Sequence, residues 1–190
     1  AFNTNPPVPV LNGEPQYEGM QFRRQANWYY GDLDLAASPS EDAARYVRSA
    51  AYGSVLSGGL AGHIYGAGGW QDGALWRADV EEASNVHIWD CMAWPGAAQM
   101  PYVRSFLMSA GDRYKALVPS IQLVTPNRHG PVAGFDGWTY CAAMPERDFL
   151  LVYLEVGTPE TQVIGLPVNT VYKGIWFDPR TGEWTNEWHA

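Results

Sequence analysis

The sequence predicts an α/β portion followed by a small all-β portion, divided near Pro119, and three observations carry that expectation. A capped helical run lies between two short apolar runs, which is the order of a βαβ unit and hence of parallel strands. From Ile121 onward, short apolar runs recur at roughly ten-residue spacing between turn signals, the texture of a small antiparallel domain. The 190 residues suit one domain or two small ones, and fall short of the roughly 250 of a complete (β/α)8 barrel. The expected division is residues 1–119 and residues 120–190.

Residues 1–9 are rich in Pro and Asn and read as a loop. Val8, Val10 and Leu11 make a short apolar run, interrupted by Pro9 and ended by Asn12-Gly13, which reads as a buried strand closing in a turn. Ser38-Pro39-Ser40-Glu41 matches a Ser-x-x-Glu capping box, with proline at the first helical position, where its fixed φ suits the helix. Behind it Ala43, Ala44, Tyr46, Val47, Ala50, Ala51, Ser54 and Val55 recur at helical spacing up to Gly58-Gly59, so a helix is expected over 39–57. The glycine-bounded run Leu60-Ala61-Gly62-His63-Ile64-Tyr65-Gly66 reads as a second strand spilling into a loop over 67–72. A weak helical pattern lies near residues 78–83, and a clearer one covers 97–110, with Val103, Phe106 and Leu107 on one face despite Pro101. Strands are then expected at 140–143, 149–154, 161–164 and 172–177. Asp178-Pro179-Arg180-Thr181-Gly182 reads as a hairpin turn, with glycine where a positive φ is wanted.

Composition bounds the function. With 46% hydrophobic and 17% charged residues the chain is too apolar for disorder and long enough to bury a core. The net charge is −8 and no basic run occurs, which argues against a nucleic-acid partner and against basic membrane docking. No apolar stretch reaches 18 residues, so no membrane insertion is expected. The start lacks an initial Met, basic residues and the apolar run of a signal peptide, so the chain is expected to begin after processing or at an arbitrary cut. Cys91 and Cys141, fifty residues apart, leave both pairing and compartment open. The 9 Trp, 11 Tyr and 6 Phe are an excess that suits either a ring-rich core or the flat faces of sugars.

Parallel strands deliver functional side chains at their C-terminal ends. The first strand end delivers Glu14, Tyr17 and Glu18, and the second delivers His63, Tyr65, Trp70, Gln71 and Asp72. Carboxylates beside aromatic rings suit cleavage of a glycosidic bond: one group protonates the leaving oxygen, another attacks or activates water, and rings hold the sugar. Each residue also has a plainer reading: Glu14 and Glu18 as solvated or capping residues, His63 as a hydrogen-bonded core histidine, Tyr65 and Trp70 as core. Gly66-Ala67-Gly68-Gly69 lacks the Lys-Ser/Thr of a phosphate loop. His63, His87, His129 and His189 are scattered, Asp32 and Asp34 lack a ligand set, and no metal or cofactor is expected. No Gly-x-Ser-x-Gly occurs, and Tyr52-Gly53-Ser54 falls inside the expected helix.

The run Pro9-Val10-Leu11-Asn12-Gly13-Glu14-Pro15-Gln16-Tyr17-Glu18-Gly19, the helix from Arg48 to Ser57, and Gly62-His63-Ile64-Tyr65-Gly66 with Trp70-Gln71 resemble the C-terminal end of the apiosidase-like glycoside hydrolase family. Trp176-Phe177-Asp178-Pro179-Arg180-Thr181-Gly182 is similar to a motif of the small β-sandwich that follows such barrels, sometimes labelled collagen-binding. The resemblance spans about residues 8–184. It implies the last strands of a TIM-type (β/α)8 barrel followed by a small antiparallel β-sandwich, with the first motif at barrel strand seven and the second at strand eight. Glu14 would be the strand-seven catalytic carboxylate, and Tyr17, Glu18, His63, Tyr65, Trp70 and Gln71 the substrate-binding residues. The acid/base partner, which belongs at the end of strand four, is missing from this chain. The implied partners are a carbohydrate substrate, in polysaccharide side chains, and a longer parent or a second chain completing the barrel. An extracellular or periplasmic setting is expected, and the isolated chain is expected to be inactive. The competing expectation is a non-enzymatic carbohydrate-binding or structural interaction protein derived from such a barrel.

Overall fold

The computed structural model describes residues 8–13, 15, 17–18, 40–67, 88–127 and 137–189. The helical pattern near 78–83, Ser38-Pro39 and the loop beyond residue 67 lie outside the described residues.

Strands β1 (Leu11–Asn12) and β2 (Gly62–His63) pair in parallel, Leu11 opposite Gly62 and Asn12 opposite His63. Helix α1 (Glu41–Leu56) lies between them in sequence, so the expected strand–helix–strand order is what forms, on strands of only two residues. The backbone extends the pairing at both ends: Ala61 N–H donates to the Val10 carbonyl and Ile64 N–H to the Asn12 carbonyl, each at 3.0 Å.

The start of α1 corrects the expected capping box. Ser40, not Ser38, is the N-cap: its backbone is extended and its hydroxyl accepts from Ala43 N–H at 3.0 Å. The helix therefore begins at Glu41 rather than Pro39, and Glu41 and Asp42 fall in the first turn, where the positive end of the helix dipole favours acids. Its C-terminal end turns at Gly58, whose φ of 111° is ready for glycine alone.

A short α2 (Ile88–Cys91) precedes α3 (Pro95–Met108), which starts two residues earlier than the pattern at 97–110 suggested. Val103 and Phe106 face inward as expected. Pro101 has no N–H to give the Ala97 carbonyl, so the hydrogen-bond ladder is interrupted there. Between α1 and α3 runs a polar link: the Arg48 guanidinium donates to Glu41 Oε1 at 2.7 Å and to Gln99 Oε1 at 2.5 Å, and Gln99 Nε2 donates to Glu41 Oε2 at 2.9 Å. Arg48 and Gln99 are buried, and a buried guanidinium needs such partners.

Among the described residues, the later half forms three small antiparallel sheets. Strands β3 (Val118–Pro119), β5 (Thr139–Ala143) and β6 (Leu150–Leu154) pair in the order β3-β5-β6; β4 (Val124–Thr125) pairs with β7 (Gln162–Val163); and β8 (Lys173–Phe177) pairs with β9 (Trp184–His189). The four strands expected from apolar runs appear as β5, β6, β7 and β8. The turn at Asp178 forms as read. Asp178 N–H donates to the Glu183 carbonyl and Gly182 N–H to the Asp178 carbonyl, both at 2.8 Å, and Gly182 takes φ 76°.

One buried apolar cluster joins Ala51, Tyr52, Val55 and Leu56 of α1 to Val103 and Phe106 of α3, to Leu117, and to Ala142, Leu151 and Tyr153 of the sheet. Tyr52 stacks on Tyr153 at 4.5 Å between ring centroids and meets Phe106 edge-on at 5.3 Å. Gly53 lets the sheet approach the helix, since a Cβ there would stand 2.8 Å from the Tyr140 ring. The core thus crosses residue 119 without a break. Cys91 and Cys141 are both buried, and no disulfide joins them. No helix among the described residues is long and apolar enough to cross a membrane.

Candidate active site

The parallel pair places the C-terminal ends of β1 and β2 at one edge, and the chain after each end turns toward the other. Glu18 N–H donates to the Gly66 carbonyl at 2.9 Å, and Glu18 forms a parallel bridge with Ala67. The Tyr17 ring lies on Gly66, where a Cβ would stand 2.3 Å from its Cδ1. Asn12 Nδ2 donates to Ser54 Oγ at 2.8 Å, tying the strand end to α1.

Of the residues singled out in the sequence, Tyr17, Glu18, His63 and Tyr65 are brought together here. Glu14, Trp70 and Gln71 lie outside the described residues. Glu18 is 1% exposed, and both its oxygens are engaged. Tyr65 Oη–H donates to Oε2 at 2.7 Å, and Gly96 N–H, in the first turn of α3, donates to Oε1 at 3.1 Å. The N-cap of α3 is Trp94, which offers no side-chain acceptor, so a glutamate 78 residues away from Gly96 supplies it. Gly96 is required by this seat: a Cβ would stand 2.2 Å from Glu18 Oε2.

Burial raises the Glu18 carboxyl above its usual range, against the opposing pull of the Tyr65 hydroxyl and the Gly96 and Ala97 amides, while nearby Glu41 adds a further upward push. The Tyr65 hydroxyl is likewise held up by burial and by Glu18. Burial lowers His63 to about 4, so its imidazole is uncharged at neutral pH. Its Nδ1 is buried without a hydrogen-bond partner among the described residues. The Cys91 thiol, packed with Trp94 under Ala67, is pushed up to about 11 by burial, Asp90 and Glu18. The described edge thus offers a neutral imidazole, ring faces and a committed carboxylate.

Gly96 and the first turn of α3 escaped the sequence reading. The signal was there in Trp94-Pro95-Gly96: a proline-led helix start with no Ser, Thr, Asp or Asn ahead of it needs an acceptor from elsewhere.

The family model described as "Apiosidase-like, catalytic domain" matches residues 1–111, more than half of the chain. The chain belongs to the apiosidase-like family. That is the family its Asn-Gly-Glu-Pro and Gly-His-Ile-Tyr-Gly motifs resemble, and it makes carbohydrate the substrate class. The apiosidase-like match ends within the turn after α3, ahead of β3 and the later sheets. No curated protein matches the chain.

Proposed function

We propose that β1 and β2 are the last two strands of a (β/α)8 barrel, that residues 120–190 form the small β-sandwich behind it, and that Glu14 is the catalytic carboxylate of a glycoside hydrolase acting on polysaccharide side chains outside the cytoplasm. The observation that carries this reading is the parallel pairing of β1 with β2 inside the family-matched region. In sequence Glu14 follows the end of β1 and Tyr65 the end of β2, and barrel enzymes keep their chemistry after adjacent strand ends.

Cleavage needs two carboxyl groups facing one bond. Glu14 acts as nucleophile or as the base that activates water. The partner acid, which protonates the leaving oxygen, comes from a longer parent polypeptide or a second chain that completes the barrel. His63, uncharged, exchanges hydrogen bonds with sugar hydroxyls, Tyr17, Tyr65 and Trp70 offer ring surface to the apolar sugar face, and Gln71 is a further sugar-binding residue.

In the catalytically complete assembly, Glu14→Gln is expected to abolish sugar release while leaving the unfolding transition in place; wild-type rates would overturn the assignment. A non-enzymatic sugar-binding protein would instead show no turnover before or after the change, and unaltered binding. Trp70→Ala is expected to weaken sugar binding, measured by calorimetry, more than Trp188→Ala. Trp188 is 44% exposed and lies over Gly174 in the β8–β9 hairpin, so equal effects would remove Trp70 from the site.

A further inference from the structure

Asn12 faces His63 and Glu18 faces Ala67, so six residue steps on one strand are matched by four on the other. The course of the stretch between those two pairings depends on how firmly its ends are fixed. The near end is held by β1, by Ile64 N–H on the Asn12 carbonyl, and by the Asn12 amide on Ser54. At the far end the backbone contributes the bond from Glu18 N–H to Gly66, and the Glu18 carboxylate contributes the bonds to Tyr65 and Gly96. Those side-chain bonds reach two different elements, the continuation of β2 and the first turn of α3. The close contacts agree, since Gly96 and Gly66 are positions where a Cβ would displace Glu18 and Tyr17 respectively.

We propose that Glu18 is a positioning residue: it fastens the far end of the 12–18 segment to Tyr65 and to α3, and so sets the course of the stretch that carries Glu14. The proposal rests on the reading of Glu14 as the catalytic carboxylate. Glu18 itself touches neither substrate nor reacting atoms, because both oxygens are committed within the protein. Its effect on catalysis runs through where the neighbouring chain is held, and a small misplacement of a reacting group is costly.

Residue-by-residue amide exchange in the full chain tests the clamp without any turnover. Glu18→Ala is expected to speed exchange at the Glu18 and Gly96 amides together, by about tenfold or more. Glu18→Gln keeps an acceptor for Gly96 and a group able to bond Tyr65, and is expected to restore both amides to within about threefold of wild type. Where Glu18→Ala fails to fold, Glu18→Asp, one methylene too short to reach both partners, carries the same expectation. In the catalytically complete assembly, Glu18→Ala is expected to lower kcat by about ten- to a hundredfold with KM within about threefold, and Glu18→Gln to recover most of the loss. Unchanged exchange at both amides overturns the clamp. Joint loss of protection with unchanged kcat overturns the positioning role and leaves Glu18 a plain brace. Glu14→Gln run alongside separates the two readings: if it turns over at the wild-type rate, the Glu14 assignment has failed, while the exchange result still decides what Glu18 holds.

Discussion

Where α1 and α3 meet the β3-β5-β6 sheet, the seam is closed by rings; where β1 meets β2, the edge is closed by hydrogen bonds. At the seam Tyr52 is wholly buried between Tyr153 and Phe106, and Tyr140 lies against Gly53. At the edge each strand is two residues long, and order comes from Asn12 on Ser54, Tyr65 on Glu18 and Gly96 on Glu18. Ring burial scales with area and tolerates small shifts, whereas a hydrogen bond contributes only about 0.5–1.5 kcal/mol net but fixes distance and direction. Stability is therefore concentrated at the seam and geometry at the edge.

The largest expected effect breaks the seam. Tyr52→Ala should cost about 3–5 kcal/mol in urea unfolding, the range for emptying a buried aromatic site. A loss below about 1 kcal/mol would mean the rings are not what holds the sheet to the helices. Next comes the edge. In an exposed helix Gly→Ala gains about 1 kcal/mol by propensity, yet at Gly96 the added Cβ would meet Glu18 Oε2 at 2.2 Å and Val47 Cγ2 at 2.6 Å. Gly96→Ala is therefore expected to lower stability, by about 1–3 kcal/mol as for other overpacked sites, and a rise in Tm would show that the seat gives way easily.

The smallest effect lies in the β8–β9 turn, which borders the seam where Gly182 meets Tyr102. The Arg180 side chain and backbone amide hold the Asp178 carboxyl down at about 2, against an ordinary value of 3.8. A depressed carboxyl contributes stability that is present above its unfolded value and is lost as pH falls through its folded one. The difference between wild type and Asp178→Asn should accordingly be small, visible above pH 3.8, and fading toward pH 2. A constant offset across that range would detach it from the carboxyl's charge.

Much of the seam was legible in the sequence, because its elements announce themselves locally. Ala43, Tyr46, Val47, Ala51 and Val55 sit at helical spacing, and the later strands alternate between turn residues whose conformational needs are strong. The cap was misplaced by two residues: the local Ser-x-x-Glu pattern points to Ser38, whereas the hydroxyl that accepts from Ala43 N–H is that of Ser40. The edge was less legible. The pairing of β1 with β2 follows from the strand–helix–strand order, but Glu18 reads as a loop residue because its partners are 47 and 78 positions away. Arg48 likewise sits in an apolar helical pattern, and its reason for being there, Gln99, is 51 residues on.

Pro101 divides α3, and the two halves answer to different parts of the molecule. The half before it is anchored by Glu18 through Gly96. On the other side, Tyr102 lies against Gly182, where a Cβ would stand 2.6 Å from its ring, and Phe106 packs with Phe177 at 5.6 Å and Trp184 at 6.4 Å. For anyone exchanging tails between members of the family, the join that matters is therefore this second half of α3. A graft at residue 119 would keep the chain continuous and still fail unless the incoming hairpin carried a glycine to clear Tyr102 and two rings to meet Phe106.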